Sequence, residues 1–93
     1  MNIDQRVNEL IEKNINIAVP YYLMAAYAYY KEDDPIISDY LFDYLALLIL
    51  KNYDQIKHPH KRLITKDDLE AGTYLGEYPR LVIDSLKMIR TLN

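Results

Sequence analysis

Cysteine and tryptophan are absent from this 93-residue chain, phenylalanine occurs once and glycine twice. Without cysteine, no disulfide or thiolate metal cluster can support the core, and thiol catalysis is excluded. So little glycine leaves no Gly-rich loop of the kind that cradles phosphates. Long apolar runs are missing too. The aliphatic run at 45–50 is far below the roughly 20 residues a bilayer span requires, and no signal-peptide pattern opens the chain. An excess of positive charge is also lacking: 11 Lys and Arg stand against 14 Asp and Glu, for a net charge of -3 and an isoelectric point near 5.2. That balance argues against a binder of nucleic-acid backbones, which is usually basic. The expectation is a cytoplasmic protein with no membrane and no nucleic-acid partner.

What is present is 51% hydrophobic and 27% charged, an ordinary globular composition. The length suits one domain, 1–93, burying roughly 60–65% of its unfolded surface. Tyrosine is the oddity: there are ten, five of them within 21–30. A tyrosine combines a large apolar ring with a hydroxyl that needs a partner when buried. The cluster suits a packed interface, a stacking surface for a flat ligand, or a helical core with polar edges.

The pattern predicts an all-α fold, a small bundle of about four to five helices. Ile3, Val7, Leu10, Ile11 and Ile15 recur at helical spacing over about 3–17, although the alternation at 14–17 blurs the end. Pro20 is placed to open a second helix to about 31. An acidic connector, Glu32-Asp33-Asp34-Pro35, interrupts it. Ser38 then reads as the N-cap of a third helix to about 54. That helix is apolar on several sides and is expected to be central, with Leu41, Leu45 and Leu48 buried against the first and last helices. Thr65 and Asp68 resemble a capping pattern for a short helix. Gly72 and Gly76 bracket a turn, and Pro79 opens a last helix whose buried face is Val82, Leu86 and Ile89.

Asp39 and Asp43 are four residues apart and share a helix face with Phe42 between them. This strip offers either acceptors for ligand hydroxyls and cationic groups or a merely solvated edge. His58 and His60, with Asp54 nearby, are too sparse for a metal set and read as part of a basic surface loop with Lys57, Lys61, Arg62 and Lys66. The acidic run 32–34 lacks the ligand spacing of a calcium loop. Ser38 and Ser85 sit in no nucleophile elbow. The chain reads as a binding module and not an enzyme.

The run Tyr29-Tyr30-Lys31-Glu32-Asp33-Asp34-Pro35-Ile36-Ile37-Ser38-Asp39-Tyr40-Leu41-Phe42-Asp43 resembles the N-terminal segment of NAD-dependent bacterial DNA ligases. Tyr29, Asp33, Pro35, Ile37, Asp39 and Asp43 fall in register without a gap. Downstream, His58-Pro59 and Leu63-Ile64-Thr65 echo the family's His-Pro and Leu-Ile-Thr stretch. The resemblance covers 21–65 at most, leaving the helix over 79–93 as an addition. It implies a helical module that holds the nicotinamide mononucleotide half of NAD, with Tyr29, Tyr30, Asp39, Phe42 and Asp43 lining the site. Tyr30 stands where the family commonly has His, and Phe42 where it has Tyr. No Lys-x-Asp-Gly adenylation motif is present, since Lys66-Asp67-Asp68-Leu69 does not match it, so ligation by this chain alone is not expected. The resemblance also implies a phage-type small protein in a host cytoplasm. Such a chain either binds NAD or nicotinamide mononucleotide, or reuses the fold against a host or phage protein or a second copy of itself.

Overall fold

The computed structural model describes residues 2–92, and the helices α1 (Asp4–Lys13), α2 (Ala18–Tyr30), α3 (Asp39–Lys51), α4 (Lys66–Ala71) and α5 (Arg80–Leu92) make up an all-α bundle. Short 3-10 turns at Ile15–Ile17 and Pro59–Leu63 complete it. No helix among the described residues is long and apolar enough to cross a membrane.

The first helix is shorter than its apolar pattern predicts. At Asn14 the backbone turns extended, and the Asn14 side chain accepts from the Asn16 N–H, which starts a 3-10 turn instead of another α-turn. That turn leads directly into α2. Pro20 therefore sits third in α2, not first. Its missing N–H costs nothing there, because first-turn amides have no intrahelical acceptor.

The central helix is α2 and not α3. Eight of its residues are buried: Ala18, Val19, Tyr22, Leu23, Met24, Ala25, Ala26 and Ala28. Its alanines let neighbours approach closely, and it packs against both α3 and α5. By contrast, α3 buries Leu41, Leu45, Ala46 and Ile49, leaves Leu48 half-buried, and has α2 and α4 as its main neighbours. Its outer stripe of Tyr40, Tyr44 and Leu47 is exposed. Apolar residues on several sides of α3 suggest a central place for it, but α2 is apolar all round as well, and its small side chains decide for α2. In α5, Val82 and Leu86 are buried and Ile89 packs partly against the core, on the expected face.

The capping residues act as their chemistry dictates. Ser38 Oγ accepts from the Leu41 N–H at 3.1 Å and donates to Asp4 Oδ2 at 2.6 Å. Asp4 also accepts from the Ser38 N–H at 2.8 Å, and the Ile3 N–H bonds the Ile36 carbonyl at 2.8 Å. The start of α1 is thus locked to the start of α3. Thr65 and Asp68 form a reciprocal capping box at 3.0 Å in both directions, and Gly72 ends α4 in the left-handed region at φ 67°, where a Cβ would be strained.

Four tyrosines hold the segment between α3 and α5, which has little helix of its own. Tyr22 donates to the Thr73 carbonyl and Tyr53 to the Ile64 carbonyl, each at 2.7 Å. Tyr74 donates to the Glu77 carbonyl and Tyr78 to the Tyr74 carbonyl. Phenylalanine could fill these positions, but it could not satisfy those carbonyls.

Candidate functional site

The connector between α2 and α3 shapes a cleft among the described residues. The last turn of α2 brings up Tyr29 and Tyr30, whose rings meet edge to face at 4.9 Å. Asp33 then turns the chain with a left-handed φ of 51°, a conformation that Asp tolerates better than most residues. Behind the turn, Ile36 and Ile37 are buried and anchor the connector to the core. Ser38 starts α3, which returns with Asp39, Phe42 and Asp43 facing the tyrosines across a cleft of about 230 Å³.

All five side chains singled out from the motif line this cleft: Tyr29, Tyr30, Asp39, Phe42 and Asp43. Ala25, Pro35, Ile37 and Gly72 complete it. Pro35 and Ile37 belong to the same sequence register and carried the signal, while Ala25 lies one helical turn before Tyr29. Gly72 had only a turn signal, because its place at the cleft depends on how α4 docks. There, a Cβ on Gly72 would stand 3.4 Å from Asp43 Oδ1.

One face of the Phe42 ring is stacked on Tyr22, with centroids 4.7 Å apart and planes 10° from parallel. Tyr22 is fully buried and hydrogen-bonded, so Phe42 is held rigidly. Tyr29 and Tyr30 are about half and one-third exposed, so a ligand in the cleft can reach their rings. Burial pushes the Tyr30 hydroxyl up from its ordinary range, helped by Tyr29 and by the negative Asp43; it therefore remains a hydrogen-bond donor at neutral pH. Both carboxylates are exposed at the rim, where each can accept from ligand hydroxyls. Aromatic walls with acceptors at the edge suit a flat ring joined to a sugar.

The connector has its own clamp. The Arg90 guanidinium, on α5, reaches Glu32 Oε1 at 2.9 Å and Asp34 Oδ2 at 3.0 Å, and it bonds the Asp34 carbonyl at 2.6 Å. The helix beyond the motif thereby fixes the turn that carries one side of the cleft.

His58 and His60 lie elsewhere, and not in a loose loop. The segment forms the second 3-10 turn, packed against α2, where His58 Nδ1 accepts from the His60 N–H at 3.1 Å. The two rings, 5.2 Å apart, border a small hollow of about 60 Å³ with Met24, Val82 and Ser85. Burial, then the neighbouring His60, lowers the proton affinity of His58. No group of three or more His, Cys, Asp or Glu converges on a common point among the described residues.

Compared with protein-family models, curated proteins and solved structures, the chain finds no match. The reading of the cleft therefore rests on the motif resemblance together with its own residues and geometry.

Proposed function

We propose that this chain is a binding module whose cleft holds the nicotinamide mononucleotide half of NAD, without carrying out ligation itself. The observation that supports this is convergence. Five residues chosen from a linear motif, from the end of one helix and the start of the next, border a single cleft of about 230 Å³. That volume lies just below the range of drug-sized pockets and suits a ring with its ribose. In this reading the nicotinamide rests between Phe42 and the pair Tyr29 and Tyr30, and the ribose hydroxyls donate to Asp39 and Asp43.

Titration with NAD and nicotinamide mononucleotide by calorimetry tests the proposal. A hydrogen bond to a charged acceptor contributes ~1.5–3 kcal/mol, so Asp43→Ala should weaken binding about ten- to a hundredfold with little effect on folding. The paired change Tyr30→His and Phe42→Tyr, which restores the ligase pattern, should tighten it. Absence of binding at millimolar ligand in both the natural protein and this double variant would remove the nucleotide reading.

A second reading has its own support in the exposed stripe on α3. Tyr40 is 83% exposed and Leu47 52%, with Tyr44 between them. In an 11-kDa-class domain such a face suits a protein partner, here a second copy of this chain. The stripe is bounded by Asp39 at the start of α3 and by Lys51 at its end, so two copies packed antiparallel would bring opposite charges together. Sedimentation over a concentration series decides: a strict monomer at high concentration excludes self-association, and Leu47→Glu should abolish any dimer that forms.

A further inference from the structure

The charges around the cleft are of one sign. Asp39 and Asp43 are its only ionised groups, and no Lys, Arg or His is among the residues that line it. Nearby cations do not alter this. Arg90 is engaged by Glu32 and Asp34, and Lys31, at the end of α2, is exposed and outside the lining. The walls reinforce the same preference, because Tyr29, Tyr30 and Phe42 are aromatic, and the electron-rich faces of such rings attract cations.

We propose that the cleft selects its ligand by positive charge: it takes the oxidised, cationic nicotinamide ring with its ribose and leaves any phosphate outside in solvent. The inference rests on the nucleotide reading above and adds to it the charge and the extent of the ligand. The oxidised ring is a pyridinium, attracted by aromatic faces and by two carboxylates; the reduced dihydronicotinamide is neutral and loses both attractions. A phosphate carries negative charge, and beside Asp39 and Asp43 it meets repulsion with no cation to offset it. The smallest complete ligand is therefore nicotinamide riboside, with the 5′ end directed outward. Charge separations of a few ångströms near a protein surface are worth on the order of a tenfold change in affinity.

The experiment is calorimetric titration of the intact chain with oxidised nicotinamide riboside, reduced nicotinamide riboside and nicotinamide mononucleotide, at low and moderate salt. The oxidised riboside should bind about tenfold more tightly than the reduced one and at least as tightly as the mononucleotide. Added salt should weaken the oxidised riboside and narrow its advantage over the mononucleotide, because screening reduces attraction and repulsion alike. Asp39→Asn and Asp43→Asn keep an acceptor oxygen but remove the charge, so each should lower the oxidised-to-reduced ratio. Equal affinity for the two redox forms overturns the inference, as does a phosphate that tightens binding more than tenfold; in either case the nucleotide reading stands. A ratio unchanged in both Asn variants also overturns it. Failure of all three ligands to bind at millimolar concentration overturns the inference and the nucleotide reading together.

Discussion

Helices α2 and α3 each have 13 residues and are similarly rich in apolar side chains, yet the fold treats them differently. In α2 the apolar residues point in nearly every direction, and neighbours cover most of them. In α3 the buried residues Leu41, Leu45 and Ile49 lie opposite the exposed Tyr40, Tyr44 and Leu47. The difference lies in side-chain volume. Four buried alanines on α2 allow α3 and α5 to close from different sides, whereas the bulky outer face of α3, with Tyr40, Tyr44 and Leu47, stays exposed among the described residues. Hydrophobicity supplies the drive to be buried, and small side chains determine where helices can meet.

Mutations that exchange these roles test the comparison. Truncating a fully buried residue on either helix, Leu23→Ala or Leu45→Ala, should destabilise the protein by about 2–5 kcal/mol in denaturant unfolding. A cost below about 0.5 kcal/mol at either position would mean that its helix is not packed as described. Ala26→Leu adds volume where α2 has no room, and it should cost about 1–3 kcal/mol despite the gain in hydrophobicity. Stabilisation by this change would refute the close-approach argument.

The tyrosine hydroxyls provide a smaller effect with a distinct pH signature. Burial, then the neighbouring tyrosines Tyr74, Tyr30 and Tyr27, pushes the Tyr78 hydroxyl up to about 12, and burial raises Tyr22 still further. In the unfolded chain both ionise near 10. The folded state then holds more protons between these values, so stability should be full below pH 10 and decline as pH rises toward 12. Tyr22→Phe should cost about 1 kcal/mol at neutral pH through the lost bond to Thr73 and should make the alkaline decline shallower. An unchanged alkaline profile in this variant would show that Tyr22 does not contribute to it. The smallest effect belongs to the outer stripe: Leu47→Ala should shift stability by less than about 0.5 kcal/mol in a dilute, monomeric sample.

Most local features were legible because short-range chemistry sets them. Ser38 and Thr65 cap helices because a hydroxyl placed before an apolar-periodic segment can reach a free first-turn N–H. Gly72 ends α4 because only its backbone enters the left-handed region without strain. The end of α1 was less legible, since Asn14 could continue the helix or cap a new turn, and contact with later residues decided between them: Asn16 Oδ1 accepts from the Lys57 N–H at 2.8 Å. The candidate site was legible in five of its residues through a linear pattern. Gly72 joined it unannounced, because docking α4 beside Asp43 is a long-range event that no local pattern encodes.

By itself the sequence determined the all-α class, the caps, the interrupting turn after α2, and a motif that gathers two tyrosines, two aspartates and a phenylalanine within 15 residues. These follow from propensities and spacings that act over a few residues. Only the tertiary structure decided that α2 is the centre, that the tyrosines of 53–78 support carbonyls of the second half, and that Arg90 clamps the connector from 56 to 58 positions away. The same is true of the cleft: whether Asp39 and Asp43 face tyrosines or open water depends on how α2 and α3 cross, and that is set by packing between residues far apart in the chain.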